Sequence, residues 1–372
     1  MIFKKNNWIY LDNAASTPPL KNTAKKIAKA LKEYGSIHRG NSFMSEISTN
    51  RYEKARKGIL KALKGSKDFS LIFTTNTTEA INRFTLMIPL KKILTVDIEH
   101  SSNYLPWVKR AEKVIFIPTD KTFKINPKVL KNILKKEDIQ ILTFATASNI
   151  SGRAYTNKEL KEIYKIAKKY NVFVFHDAAQ HIGHFNTNLK YCDAMAFAGH
   201  KMYAPFGGGC LIARKDFFKN NYNSFTGGGN VEYINFKTGK VTYKKIPHNH
   251  EVGTPNFIGA YSIYLALKEL RKKKHAKHSK KLAKTMKKEL SQWDLLKGKK
   301  ESPIVLLDKK YAPILEKHKI AFRIGHFCVY NFIDKYLKGR EVIRLSGGMT
   351  TKKEDILKIK EILSYNKTTL KN

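Results

Sequence analysis

Cysteine is scarce, with three in 372 residues and no C-x-x-C pair, so neither a disulfide framework nor a cysteine metal site is expected. No His-Glu-x-x-His occurs among the 12 histidines, and no bound metal is anticipated. Long apolar runs are missing too. The opening Met1-Ile2-Phe3-Lys4-Lys5-Asn6-Asn7-Trp8 lacks the apolar stretch of a signal peptide, and no segment approaches the length of a membrane span. The expectation is a soluble, cytoplasmic chain without membrane contact. Acidic residues are few: 30 Asp and Glu against 71 Lys and Arg leave a net charge of +41. Such an excess ordinarily points to nucleic acid. Here the lysines are spread along the chain in short clusters such as Lys272-Lys273-Lys274 and Lys280-Lys281, without a basic tail, an RNP or zinc-finger pattern, or interleaved aromatics. Only weak, non-specific RNA or DNA binding at low salt is expected.

What is present is an alternation. Short β-branched or aromatic runs alternate with longer amphipathic segments, the pattern of a mainly parallel sheet covered by helices. Candidate strands are 71–74, 92–96, 114–117, 139–145, 172–175, 194–198 and 209–213. Between two of them, Thr156 and Glu159 have the spacing of a capping box, and Leu160, Ile163, Ile166, Ala167 and Tyr170 recur at helical spacing up to Asn171. After Pro255 the texture changes. A long, very basic helical stretch from 257 to about 290 precedes strands at 304–307, 320–323 and 342–345, with helices near 311–318 and 351–363. The polar tail 366–372 is expected to fray.

Two strand-like runs end in chemistry. The run 172–175 leads into Asp177, and 194–198 leads into Gly199-His200-Lys201. If both are buried parallel strands, their polar ends emerge on one edge of the sheet, where open α/β folds place ligands. A carboxylate and an amine delivered there suit pyridoxal phosphate (PLP), the lysine to form a Schiff base and the aspartate to keep the pyridine nitrogen protonated. Most lysines of this chain read as surface residues. Gly199 before it, Tyr203-x-Pro205 after it and the glycines 207–209 set Lys201 apart.

Further stretches carry a family likeness. They are Tyr10-Leu11-Asp12-Asn13-Ala14-Ala15-Ser16-Thr17-Pro18, His38-Arg39-Gly40-Asn41, Thr77-Thr78-Glu79-Ala80-Ile81-Asn82, Glu99-His100-Ser101-Ser102-Asn103, Ser148-Asn149-Ile150-Ser151-Gly152, Glu251-Val252-Gly253-Thr254-Pro255-Asn256 and Arg323-Ile324-Gly325-His326-Phe327-Cys328. With the Asp177 and Lys201 segments, they make the chain resemble the class V aminotransferases of PLP fold type I. Within these it is most similar to the group II (Suf-type) cysteine desulfurases and selenocysteine lyases. The resemblance implies an α/β fold in which a large PLP-binding domain, 16–256, holds a mainly parallel seven-stranded sheet. It implies a small C-terminal α/β domain, 257–372, led by a long linking helix, and an N-terminal arm, 1–15, packing on the small domain.

The same resemblance implies site roles. Thr77, Thr78 and His200 hold the cofactor phosphate, a plain N-cap being the alternative for the threonines. His100 stacks on the pyridine face and relays protons, while Asn149 and Gln180 reach the substrate carboxylate and the cofactor's phenolic oxygen. Gly228 and Thr254 resemble segments that reach the phosphate of a neighbouring subunit, which implies a homodimer with shared active sites. One departure is Ala198, where the family has a serine that donates to the phosphate; its loss costs about 1 kcal/mol if nothing substitutes.

Cys328 bears on the reaction. Cys192 and Cys210 lie in or beside strand-like runs and read as small buried hydrophobes. Cys328 instead closes a polar loop 16 residues before Arg344. In group II desulfurases the similar sequence is Arg-x-Gly-His-His-Cys, whose cysteine takes the sulfur. An arginine placed like Arg344, with Arg323 beside it, binds the amino-acid carboxylate there. Phe327 replaces the second histidine, and Val329-Tyr330-Asn331 lacks the family's common proline. The implied activity converts L-cysteine to L-alanine with a persulfide on Cys328. Its sulfur passes to an acceptor protein for iron–sulfur cluster, thio-cofactor or tRNA biosynthesis. The alternatives are selenocysteine lyase, cysteine-sulfinate lyase or an aminotransferase with Cys328 incidental, and, outside the family, a nucleic-acid-binding protein using the basic surface.

Overall fold

A computed structural model describes residues 8–119, 121–204, 207–221, 223–272 and 275–366. Pro205, residues 1–7 of the expected arm, Lys273 and Lys274 of the basic stretch, and the tail beyond 366 lie outside the described residues. In chain order the strands are β1 (Ile9–Tyr10), β2 (Phe69–Thr74), β3 (Lys92–Val96), β4 (Lys113–Ile117), β5 (Ile141–Ala145), β6 (Phe173–Asp177) and β7 (Ala194–Ala198). There follow β8 (Gly209–Arg214), β9 (Val231–Asn235), β10 (Lys240–Tyr243), β11 (Ile304–Asp308), β12 (Ile320–Ala321), β13 (Arg323–Gly325) and β14 (Val342–Ser346).

The runs read as strands in the first 215 residues are the strands of one seven-stranded sheet, ordered β2-β8-β7-β6-β5-β3-β4. All its pairings are parallel except those of β8, which runs against both neighbours. Both faces of this sheet are covered. Leu71, Met195, Phe197 and Ile212 enter one apolar core, while their neighbours Ile72, Ala194, Ala196 and Leu211 enter another. Burial on both faces is why these strands are continuously apolar rather than alternating. The register sets Ala145 opposite Asp177, and Asp177 opposite Ala196. The chain therefore leaves β2, β3, β5, β6 and β7 at one edge, just ahead of Thr77, His100, Asn149, Ala178 and Lys201.

The helix Asn157–Lys169 starts with the expected capping box: Thr156 N donates to Glu159 Oε2 at 2.7 Å, and Glu159 N to Thr156 Oγ1 at 3.3 Å. Asn171 then takes a left-handed φ of 58°, which stops the helix and launches β6. The basic stretch holds two helices, Phe257–Lys272 and His275–Glu289. Beyond them β11, β14 and β13 form an antiparallel sheet. The single strand expected at 320–323 is in fact two strands. Phe322 separates β12, which pairs in parallel with β1, from β13, which pairs with β14. Leu11 joins Leu307, Leu345 and Ile359 in a separate apolar cluster. No described helix is long and apolar enough to cross a membrane.

Buried histidines surround the Lys201 turn and the central strands. Burial depresses His176 and His184 to about 3, and His181 and His275 to about 4, so all four are neutral in the fold. Once unfolded, each takes up a proton near its ordinary 6.5. The unfolded chain thus binds more protons between about pH 6.5 and 4, and stability falls as pH drops through that window, by up to about 1.4 kcal/mol per pH unit for each histidine. Glu99 acts the other way: burial raises it to about 8, so it favours the fold as pH falls below that value, and it offsets one histidine. The thermal midpoint followed by circular dichroism is expected to fall steadily from pH 7 to pH 5. A flat profile over that range would show that these imidazoles already carry protons in the fold.

Candidate active site

The edge where β2, β3, β5, β6 and β7 end opens into a cavity of about 360 Å³. Thr77, Thr78, His100, Asn149, Asp177, Gln180, His200, Lys201, Arg323, Cys328 and Arg344 all line it. Gly228 and Thr254 do not. Thr254 is exposed, and the Gly228 carbonyl accepts from Gly253 N at 2.7 Å away from this cleft.

Asp177 ends β6 buried, with Oδ1 accepting from Ala179 N at 2.8 Å; burial pushes its carboxyl up. Lys201 sits in the tight turn after β7. Thr17 braces that turn, its N and Oγ1 donating to His200 O at 2.7 and 2.9 Å, while Tyr203 N donates to Thr17 Oγ1 at 2.6 Å. The backbone approaches closely behind it: a Cβ on Gly183 would stand 2.2 Å from the Lys201 carbonyl oxygen. Burial lowers the Lys201 amine to about 8, against the opposing pull of Asp177. That brings a neutral, nucleophilic amine within reach of ordinary pH.

The helix Thr77–Met87 presents its N-terminus to the same cavity. Its cap is Asn76, whose Oδ1 accepts from Glu79 N at 2.9 Å, so capping is not the task of Thr77 or Thr78. Thr77 Oγ1 is buried without a partner, and Thr78 Oγ1 shares a 2.7 Å hydrogen bond with Ser102 Oγ. Ser102 lines the same cavity, an extra hydroxyl in a site where Ala198 has none. Burial and Lys201 hold His200 neutral, down to about 4.

His100 is likewise lowered to about 4 by burial, then by the charges of Lys201 and Arg344. Its Nδ1 accepts from Ser102 N at 3.1 Å, which leaves the proton of the neutral ring on Nε2. Glu99, beside it in the cavity wall, accepts from Ala145 N and Asn103 Nδ2, each at 2.8 Å. Asn103 Oδ1 in turn accepts from Trp107 Nε1 at 3.1 Å and Thr143 Oγ1 at 2.8 Å, fixing the segment that carries His100.

Arg344 lies buried in the middle of β14. Its Nη1 donates to Asn149 O at 3.1 Å, its Nη2 pairs with Asp12 Oδ1 at 3.3 Å, and its guanidinium lies over the Phe327 ring at 4.5 Å. Nε is buried without a partner. Burial lowers it to about 10, so it remains cationic at neutral pH. Asp12 also reaches the exposed Arg323, Oδ2 to Nε at 3.4 Å. Asp12 thus links the two arginines of the cleft, a contact that its motif does not indicate. Asn149 lines the cavity, and its Nδ2 donates to Phe327 O at 2.9 Å, which also anchors the cysteine loop. Gln180 Nε2 is similarly engaged, donating to Ala14 O at 2.7 Å.

Cys328 is exposed, whereas Cys192 and Cys210 are buried, and burial raises both of those thiols. It sits between β13 and the helix Tyr330–Leu337, with Phe327 and Cys328 both left-handed, at φ 54° and 57°. Ser101 holds this bend through its N and Oγ, which donate to Cys328 O at 2.8 and 3.0 Å. The helix that follows is tied down by Lys335 Nζ on Asp97 Oδ2 at 2.6 Å and Asn331 Nδ2 on Asp97 O at 2.8 Å. One cleft therefore gathers a near-neutral amine beside a buried carboxyl, a helix N-terminus with a spare hydroxyl, a buried guanidinium and an accessible thiol.

A family model described as aminotransferase class-V matches residues 9–359. The cysteine desulfurase of Wigglesworthia glossinidia brevipalpis is 29% identical over 385 residues, covering 96% of this chain and 93% of that protein. The probable cysteine desulfurase of Pyrococcus abyssi (strain GE5 / Orsay) is 30% identical over 369 residues, covering 91% and 89%. Among solved structures, the apo cysteine desulfurase from Thermococcus onnurineus NA1 superposes with a TM-score of 0.87 at 26% identity, covering 96% of this chain and 94% of that one.

Proposed function

We infer that the chain is a cysteine desulfurase, and the premise is membership: it belongs to the class-V aminotransferase family. The observation that carries the reading is Cys328, the exposed cysteine, standing in one cleft with Lys201, Asp177 and Arg344. We propose PLP as the cofactor, and the residues present fit it. The unpartnered Thr77 Oγ1, the helix N-terminus it opens, Thr78, Ser102 and neutral His200 suit a phosphate. Lys201 and Asp177 suit the aldehyde and the pyridine nitrogen. When bound, PLP supplies a carbonyl carbon that captures an amine and a ring that accepts electrons.

The chain's own residues do the rest. Arg344 binds the α-carboxylate of L-cysteine through its spare Nε, held in place by Asp12, Asn149 and Phe327. Lys201 Nζ, neutral in part near physiological pH, takes the α-proton. His100, its Nδ1 fixed by Ser102, would be among the residues that hold the cofactor. The Cys328 thiolate attacks the substrate sulfur, forming an S–S bond as the carbon–sulfur bond breaks. Protonation of the carbon skeleton gives L-alanine and leaves a persulfide on Cys328, whose exposure suits hand-over to an acceptor protein. Gly228 and Thr254, away from their own cleft, support a homodimer in which each subunit completes its neighbour's site. The division into 1–15, 16–256 and 257–372 belongs to the same reading, supported by the pairing of β1 with β12.

The test is an assay of alanine and sulfide from L-cysteine, with and without reductant, alongside borohydride treatment and peptide mapping. Stoichiometric alanine, sulfide released by reductant, and cofactor fixed to Lys201 are expected. Cofactor fixed to another lysine, or no alanine at all, would falsify the assignment.

A further inference from the structure

Outside the cleft, three side chains from separate stretches converge. His38 precedes the helix Phe43–Ala62, Glu53 lies on that helix, and His248 opens the 3-10 turn His248–His250. Each offers one ligand atom, and the three atoms lie within 4.8 Å of one another. His38 Nε2 is 3.1 Å from Glu53 Oε1, and the rings of His38 and His248 meet edge to face with centroids 4.8 Å apart. A tetrahedral ion with bonds of about 2.0–2.2 Å sets its ligand atoms roughly 3.4 Å apart, so small side-chain rotations complete such a shell. We propose that His38, Glu53 and His248 form a divalent metal site of the zinc class, its open position facing the adjacent cavity. An ion there ties loop, helix and turn together.

The surroundings support this assignment. The cavity of about 210 Å³ beside the cluster is lined by His38, His248 and Glu251 among others. Arg56 orients the carboxylate as an outer-shell partner, donating from Nε to Glu53 Oε2 at 3.1 Å and from Nη2 to Oε1 at 3.2 Å. Arg56 is itself fixed by Glu251, which accepts from Nη1 and Nη2 at 2.8 Å each. The donor set also selects the ion. Arg39 and Lys244 border the same cavity and repel cations. Binding must therefore come from ligation by imidazole, which suits zinc, cobalt or nickel and disfavours calcium or magnesium, which take oxygen ligands. No sequence motif announces the cluster, because its members are 15 and 195 residues apart in the chain.

The experiment uses tag-free, chelator-treated protein carrying Cys328→Ala, which removes the exposed thiol as a competing ligand. Titration with zinc against a chromophoric chelator is expected to show one equivalent bound. Adding His248→Ala or Glu53→Gln should weaken that binding at least tenfold with unchanged far-ultraviolet circular dichroism. His248→Gln carries the same expectation and replaces His248→Ala if that variant unfolds. Cobalt(II) in place of zinc should give the visible bands of a low-coordinate nitrogen and oxygen site, lost with the same substitutions. Calcium and magnesium at equal concentration should leave the thermal midpoint where it was, while zinc raises it. Equal zinc affinity with and without His248, or no zinc bound by the parent protein, overturns the proposal.

Discussion

Replacing Cys328 with alanine is expected to abolish sulfide release from L-cysteine, a loss on the order of 10³-fold or more, while cofactor absorption and capture of L-cysteine persist. Lys201, Asp177 and Arg344 handle binding and proton removal without the thiol. Breaking the carbon–sulfur bond by this route needs a nucleophile on the sulfur, and among the three cysteines only Cys328 is exposed in the cleft. Brief exposure of the native protein to L-cysteine should add one sulfur atom to the peptide carrying Cys328. Cys192 and Cys210 should stay unmodified, since both are buried with thiols pushed up by that burial. Mass spectrometry of the digested protein reads this directly. If the variant still produces sulfide and alanine at the native rate, Cys328 is a bystander, and the carbon–sulfur bond breaks by a route that does not pass through its thiol.

Arg344→Ala should raise KM for L-cysteine by about 10²-fold, with a smaller fall in kcat. The guanidinium is 2% exposed and keeps an unpartnered Nε. A buried, charge-assisted hydrogen bond is worth about 1.5–3 kcal/mol, which corresponds to roughly 10- to 150-fold in binding. Arg344→Lys should recover little, because an ammonium cannot reproduce a planar fork already committed to Asp12 and Asn149. Steady-state kinetics against L-cysteine separates the two parameters. A KM within twofold of native would transfer the carboxylate to the exposed Arg323, whose link to Asp12 survives the substitution.

Local signals in the chain were enough to place the large sheet. Both of its faces are covered, so its strands announce themselves as apolar runs, and Asp177 and Lys201 follow from where two such runs stop. The site's motifs were legible for the same reason: each is a short segment at a strand end. Convergence between distant segments was not. Asp12 and Arg344 meet only because β1 lies beside β12 while residue 12 bridges Ser346, a tertiary fact with no trace in spacing. The hydrogen bond from Asn149 Nδ2 to Phe327 O joins residues 178 apart and is likewise unmarked in the motif. Spacing alone allows Thr77 as a cap, whereas Asn76 holds that position. The break at Phe322 was invisible because both short strands share one β-prone run and differ only in the partner each one finds.

The pairing of β1 with β12 also has a consequence for the protein's birth on the ribosome. Ile9 finds its register partner only at Ile320. At about 5–20 residues per second, that partner is made roughly 15–60 s after Ile9 itself. Once Arg214 has been made the seven-stranded sheet is complete in sequence, while the segment bearing Asp12 still waits with its strand edge unsatisfied. A premature stop between residues 215 and 320 therefore yields a chain that contains the strands of the sheet and the Lys201 turn but is left with a dangling first strand, a substrate suited to chaperones and proteases rather than a partly active enzyme.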